Sequence, residues 1–245
     1  MASQVLTDCK LYSGEYDWSG DMNSVRLDYA AEMKDATTFG QTTRINKAGL
    51  KSVRLNSEGL FSAGTGEIDG ELFGVIGTAD RAVSVIPNAG TAIGDAAYLF
   101  RSMRTDYRPG AQVGELLRFA SSAVASGGDG LVRGVVLFPS TAVTATSTST
   151  KYEVGAVSAT QRLYAALHVF AVSGTNPTLD VIVQSDANSG AGGETNRITF
   201  TQATAASSQW SSVAGAVTDT FWRLSYTIGG TATPTFTFAV TVGIL

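Results

Sequence analysis

The sequence predicts an all-β protein with one short helix, and three observations carry that expectation. Period-two alternation recurs along the 245 residues, as in Phe236, Phe238, Val240, Val242 and Ile244 against Thr237, Ala239, Thr241 and Gly243. Gly, Pro, Ser and Thr punctuate those runs at intervals suited to turns. Helical spacing of apolar residues occurs once, at Ile68, Leu72, Val75 and Ile76, and even there Gly70 and Gly74 weaken it. A chain of this length buries enough surface for one large or two ordinary domains without covalent staples.

Residues 9–18 read as a leading strand. In residues 25–34, Val25, Leu27, Tyr29, Ala31 and Met33 point one way while Arg26, Asp28, Glu32 and Lys34 point the other, which predicts one buried face and one wet, charged face. The second strand of this pair is expected at residues 53–58. Between them DATTFGQTTRINKAGLK, residues 35–51, reads as a loop far longer than a hairpin turn needs. Because it also contains Phe39, Ile45 and Leu50, it reads as a contact surface.

The helix is expected at residues 68–76, followed by strands at 82–86, 96–103, 116–124 and 131–138, with a Pro-Gly turn in DYRPGAQVGE. PSTAVTATSTST, residues 139–150, is uncharged and of low complexity, and reads as a linker. Short strands follow at 151–156, 162–172, 178–185, 197–201, 221–228 and 236–244, the spacing of a β-sandwich. The expected division is therefore a first β domain over 1–138, a linker over 139–150 and a second β-sandwich over 151–245.

Charge follows the same division. The net charge is −4, which argues against a basic groove for nucleic acid, and 13 of the 17 lysines and arginines and 16 of the 21 acids precede Pro139. A C-terminal part so poor in ions suits a repetitive assembly or a neutral coat. No apolar run reaches the length of a membrane helix, and the first residues lack the basic and apolar regions of a signal peptide. The expectation is a protein made and kept inside a cell, or assembled there into something larger.

Residues that could carry chemistry are few. Cys9 is the single cysteine, so neither an internal disulfide nor a multi-cysteine metal site can form. His168, the single histidine, lies in RLYAALHVFAV and reads as a packed or hydrogen-bonded core residue. Asp8, Glu15, Asp17 and Asp21 cluster near the N-terminus without neighbours to split their pKa values, so they read as a solvated rim. SDANSGAGGETNR places Asp186, Asn188 and Glu194 among glycines, faintly like a calcium loop but without its DxDxDG spacing. GTGEIDGELFG and SGGDG lack the sequel of a phosphate loop and read as turns. Trp222 falls in phase with Leu224 and Tyr226 and reads as core, which leaves Trp210 as a possible surface aromatic for a sugar ring. No catalytic, metal or cofactor-binding residue is expected.

One stretch resembles a known family. YSGEYDWSGDMNSVRLDYAAEMKDATTFGQTTRINKAGLKSVRLNSEGLF is similar to the opening of tail tube proteins from long-tailed, siphovirus-like bacteriophages. The similarity runs on through the short helix, AYLFRSMRTDYRPGAQVGELLRFA and GLVRGVV, covering most of residues 5–138. In that family, subunits form hexameric rings of β-sandwiches whose inner sheets join into a barrel around a channel, and the rings stack through the long hairpin loop. The resemblance implies a tail-tube-like sandwich or barrel domain here. It also implies that Asp35, Thr37, Thr38, Phe39, Gly40, Arg44, Gly49, Leu50 and Lys51 lie between stacked rings.

The implied partners are copies of the chain itself, other tail proteins, and phage DNA passing without sequence recognition along a lumen of acidic balance, with no membrane and no cofactor. The implied location is the virion tail, after assembly in the host cytoplasm. The second half would be an appended sandwich or a diverged copy of the first, the latter making three subunits a pseudo-sixfold ring. The alternative reading is a virion decoration or receptor- and glycan-binding protein, and an enzyme such as a glycan hydrolase comes third.

Overall fold

A computed structural model describes residues 6–64, 66–190 and 192–245. Thr65 in the expected GTGEIDGELFG turn, Ala191 in the loop after Asp186, and residues 1–5 of the expected first domain lie outside the described residues. Strands dominate, and a single α-helix appears among the described residues. In chain order the elements are β1 (Lys10–Ser13), β2 (Tyr16–Asp17), β3 (Met22–Asp35), β4 (Asn46–Leu60), α1 (Ile68–Gly74), β5 (Arg81–Ile86), β6 (Ala96–Gly110) and β7 (Arg118–Ala125). There follow β8 (Val132–Val143), β9 (Ser147–Thr148), β10 (Tyr152–Glu153), β11 (Arg162–Asp186), β12 (Thr195–Thr199), β13 (Ser207–Ala214) and β14 (Phe221–Ile244).

The chain forms two compact units, and they are not consecutive. One comprises the N-terminal segment to Gly20, Arg81–Arg101 and Val132–Leu245; the other comprises Asp21–Asp80 and Ser102–Leu131. This differs from the expected division at residues 138 and 151. The low-complexity stretch 139–150 is not a linker, because β8 continues through it to Val143 and pairs Phe236 with Val143 and Phe238 with Thr141. Threonine is a good strand former, and here a neighbouring strand supplies the partner that sequence complexity cannot show.

In the first unit β11 and β14 run antiparallel over nearly their whole lengths, from Leu163 opposite Ile244 to Asp186 opposite Phe221. Each was expected as two strands. Register shifts between Val169 and Thr178 mark where the pair bends, near Gly174 and Pro177 on one strand and Gly230 and Pro234 on the other. The bend folds the pair upon itself, so residues of both halves share one apolar cluster: Leu163, Leu167, Val181, Val183, Trp222, Leu224, Phe236 and Phe238. The opposite face of the first half, with Tyr164, Ala166 and Ala239, packs into a second cluster with Tyr12, Ile86, Leu99 and Val136. Burial on both faces explains the nearly continuous apolar runs LYAAL and FTFAVTV. A strand absent from the sequence expectation, β13, pairs along β11 from Ala214 opposite Arg162 to Ser207 opposite Val169.

In the second unit four antiparallel segments lie in the order β3, β4, β7 and the second half of β6. Rows of directly opposed residues cross the sheet. Leu27, Leu55, Ala123 and Arg104 share one face, and Arg26, Asn56, Ser122 and Asp106 share the other. Ile68 and Leu72 of α1 are buried, and the Tyr107 hydroxyl donates to Asp69 Oδ1 (2.8 Å). Val75, just past the helix end at Gly74, is buried as the helical stripe predicted, whereas Ile76 is 44% exposed.

Candidate functional site

The pairing of β3 with β4 builds the most unusual surface of the chain. The register runs Leu27 opposite Leu55, Tyr29 opposite Val53, Ala31 opposite Lys51, then Met33 opposite Ala48 and Asp35 opposite Asn46. The shift between Ala31 and Met33 inserts an extra residue on β4 beside Gly49, which bulges the strand. The connection is therefore ten residues, 36–45, and not the seventeen expected from 35–51, since Asp35 is the last residue of β3 and Asn46–Lys51 already belong to β4. Polar residues and a glycine concealed those six positions, because pairing in an arm depends on the strand opposite more than on propensity.

The expected alternation of faces holds, but the expected burial does not. Val53 and Leu55 are buried and Leu27 is half-buried, whereas farther along the arm both faces are open. Met33 is 74% exposed, Leu50 84%, Phe39 fully, and Tyr29 and Ile45 more than a third. Five apolar side chains on a two-stranded arm with no core of its own exceed the scattered exposure of an ordinary surface.

The neck of the loop is ordered by its own polar groups. The backbone N–H of Thr37 donates to Asp35 Oδ1 (2.9 Å), that of Ile45 donates to Thr37 Oγ1 (2.9 Å), and that of Ala36 donates to the Ile45 carbonyl (2.8 Å). The hydrogen bonds from Thr37 hold the Asp35 carboxyl below the usual carboxylate range. Thr38, Phe39 and Gly40 form the tip, Gly40 with φ +87°, and Arg44 is exposed on the return. Gly49, Leu50 and Lys51 lie apart from these, within β4, where Gly49 sits against Glu32 and the Lys51 ammonium lies 5.8 Å from the centre of the Tyr29 ring. The structure thus brings Asp35 and Thr37 together at the neck, and spreads the other predicted contact residues from the tip down one strand.

Further exposed apolar residues of the same unit were not singled out in the sequence. Val113 is fully exposed on the β6–β7 loop, with Leu116 (69%) and Leu117 beside it, and Phe73 is 73% exposed at the end of α1. The signal was present in RPGAQVGELL, where a Pro-Gly turn carries three large aliphatic residues. Among the described residues β3 pairs with β4 alone, so its other edge presents unpaired backbone N–H and C=O groups. The polar face of the sheet is balanced and not acidic: it carries Arg54, Glu58 and Arg118 together with the pairs Arg26–Asp28 and Arg108–Asp106 (2.8 Å each).

The remaining candidates resolve into structural roles. His168 is fully buried; its Nδ1–H donates to the Gly14 carbonyl (2.7 Å), which leaves Nε2 to accept from the Ser84 hydroxyl (2.9 Å). Ser84 Oγ in turn accepts from Thr241 (2.7 Å). Burial is the main cause that lowers its pKa to about 4, so the ring is neutral near pH 7. Cys9 is half-buried and its thiol pKa is raised by burial, then by Asp8, which makes it a poor nucleophile. The N-terminal carboxylates have separate partners: Asp8 with Lys10 (3.5 Å), Glu15 with Arg81 (2.7 Å) and Asp17 with the Ser19 backbone (3.0 Å).

The glycine-rich loop after Asp186 does enclose a cation, but that cation is Lys151. Its ammonium binds Asp186, Glu194 (3.0 Å) and the Gly190 carbonyl, and Arg223 holds Glu194 from the other side (2.8 Å). Burial pulls the lysine pKa down, yet the bonds to Asp186 and Glu194 outweigh it and raise the pKa above the ordinary value. Trp222 is fully buried, as its phase implied. Trp210 is no bare platform: it is half-buried against the inner cluster, 5.6 Å from Tyr164, because β13 lies along β11. Among the described residues no three His, Cys, Asp or Glu side chains converge to hold a metal ion, and no helix is long and apolar enough to cross a membrane.

No family model matches the chain, and no curated protein matches it. Solved structures do. The SPP1 Dit protein, described as a paradigm of hub adsorption apparatus in phages infecting Gram-positive hosts, is 11% identical with a TM-score of 0.41, over 97% of this chain and 99% of that one. A subunit from the tail of a gene transfer agent particle refined with C6 symmetry is 15% identical, TM-score 0.39, over 53% and 97%. The SPP1 tail tube is 8% identical, TM-score 0.40, over 51% and 76%. The solved structures to which this all-β chain is similar are thus tail tube and tail hub components, at low identity.

Proposed function

We propose that the chain is a structural, non-enzymatic subunit of a long-tailed phage's tail, which self-associates into rings that stack into the tube through which DNA is delivered. The observation that carries this reading is the β3–β4 arm, open on both faces, tipped by Phe39 and flanked by Met33 and Leu50. Such an arm gains stability only when another surface covers it. Covering those three side chains contributes roughly 1.5–3 kcal/mol each, so about 5–9 kcal/mol per arm before the cost of association. The free edge of β3 offers neighbouring copies a backbone ladder within the ring, and Val113, Leu116 and Phe73 extend the apolar surface available for contact.

Negative-stain micrographs of the purified chain test this directly. Rings or tubes with a central hole are expected, and their symmetry distinguishes six subunits from three. Discs that do not stack would assign the chain to a single-ring hub. Single copies persisting at high concentration would overturn self-assembly altogether.

A further inference from the structure

The hairpin of β1 and β2 brings three polar side chains to one face. Lys10 and Tyr12 are two residues apart on β1, and Asp17 stands directly opposite Tyr12 on β2. All three border a cleft of about 320 Å³ within the first unit, together with Thr91 of the β5–β6 loop and Ser140 and Thr141 of β8. Tyr12 is the buried member of the set. Its ring lies 4.9 Å from that of Phe170 and the residue is only 1% exposed, yet its hydroxyl has no hydrogen-bond partner among the described residues.

Core packing does not account for that hydroxyl. A phenylalanine would fill the same space, and a buried polar group left unpaired is unfavourable. The group that satisfies it therefore comes from the cleft that Tyr12 lines. Room is ample: at ~30 Å³ per water the cleft would take roughly ten waters, and it reaches the size of small-molecule sites.

The surroundings define the chemistry of the occupant. Burial first, then Asp17 and Asp8, raise the Tyr12 pKa well above its ordinary value, so the phenol stays a donor at neutral pH. Asp17 Oδ1 accepts from the backbone N–H and the hydroxyl of Ser19, which leaves Oδ2 open as an acceptor. Lys10, 3.5 Å from Asp8, adds a second donor. With one ammonium and one carboxylate on the same cleft, neither an anion nor a cation is favoured. The Thr91 and Ser140 hydroxyls can each donate and accept, and that of Thr141, which donates to the Pro139 carbonyl, can still accept. A donor directly beside an acceptor, with hydroxyls around them, matches a molecule that carries adjacent hydroxyl groups.

We propose that this cleft binds a neutral saccharide residue, one hydroxyl of which accepts from Tyr12 while the adjacent one donates to Asp17. The inference does not depend on the tube reading, because the cleft and the β3–β4 arm belong to different units.

The test is saturation-transfer NMR on the full-length chain with methyl glycosides of glucose, galactose, mannose and N-acetylglucosamine, followed by titration. At least one is expected to bind with a Kd in the millimolar range, the weak end appropriate to a single ring. Tyr12→Phe, which removes only the unpaired oxygen, should remain folded and lose about tenfold in affinity. Asp17→Asn keeps an oxygen for Ser19 but loses the charge, and should cost a similar factor. Trp210→Phe, on β13, should cost nothing. Binding of a neutral polymer, dextran or mannan, alongside the methyl glycoside would support the site and identify a polysaccharide as the source; binding of the small glycoside alone would support it and identify a free sugar. Absence of binding across the panel, with the cleft holding solvent alone, overturns the proposal. So does wild-type affinity in Tyr12→Phe, or a loss that follows Trp210→Phe instead. Failure of the tube reading would appear separately, as missing rings in micrographs of the wild type.

Discussion

Lowering the pH from 7.5 to 5.0 should destabilise the protein through a single side chain. His168 has its pKa lowered from 6.5 to about 4 in the folded state, chiefly by burial. Between those values the unfolded chain binds a proton that the folded chain refuses, so the stabilisation is complete above pH 6.5 and is lost as pH falls toward 4. The full difference is roughly 3 kcal/mol, at 1.36 kcal/mol per pKa unit, of which about 2 kcal/mol is gone by pH 5. Asp186, Glu194 and Asp219, held below the usual carboxylate range by their hydrogen-bond donors, stay charged over this interval and do not contribute. Urea unfolding followed by tryptophan fluorescence, with buried Trp222 as reporter, measures the difference at constant m-value. His168→Asn keeps a donor for the Gly14 carbonyl but cannot titrate, so it should be less stable at pH 7.5 and show no loss between 7.5 and 5.0. A wild type without that loss, or a variant that retains it, would refute the reasoning.

Other expectations follow from the same structure. Phe39→Ser with Leu50→Ser should leave monomer stability within about 0.5 kcal/mol, since both side chains are exposed, while sedimentation shows stacked assemblies lost. Lys151→Met removes the ammonium that lowers the Asp186 and Glu194 pKa values. Its melting temperature should fall at pH 7, and the deficit should shrink toward pH 4 as those carboxylates protonate; a deficit independent of pH would contradict the assigned network. Gly14→Ala places a methyl group 2.0 Å from an Arg81 nitrogen at φ +63°. The backbone strain costs about 1–2 kcal/mol before any loss of the Arg81–Glu15 pair, visible as a drop of a few degrees in thermal unfolding.

The parts of this fold that were legible in sequence are those set by local alternation. The two faces of residues 25–34, the last strand and the in-phase burial of Trp222 needed only the period of two. What stayed hidden depended on partners far along the chain. Asn46–Lys51 reads as loop until β3 lies opposite, Thr141 reads as linker until Phe238 pairs with it, and SSQWSSVA becomes a strand only beside Arg162–Val169. Likewise the acids and glycines after Asp186 signalled a cation, but not that Lys151, thirty-five residues upstream, supplies it. The exposed apolar residues of the arm were legible because large side chains stood in a polar loop; the same signal in the β6–β7 loop was outweighed by its Pro-Gly turn.

The entwining of distant segments in the first unit bears on synthesis. Tyr12, Ile86 and Leu99 leave the ribosome early, yet the cluster they join also contains Ala239, contributed by β14. A nascent polypeptide halted after Val143 would hold β8 without its β14 neighbour and a half-lined interior. Translation order would therefore keep an unfinished molecule from reaching its final shape until the closing strand has emerged.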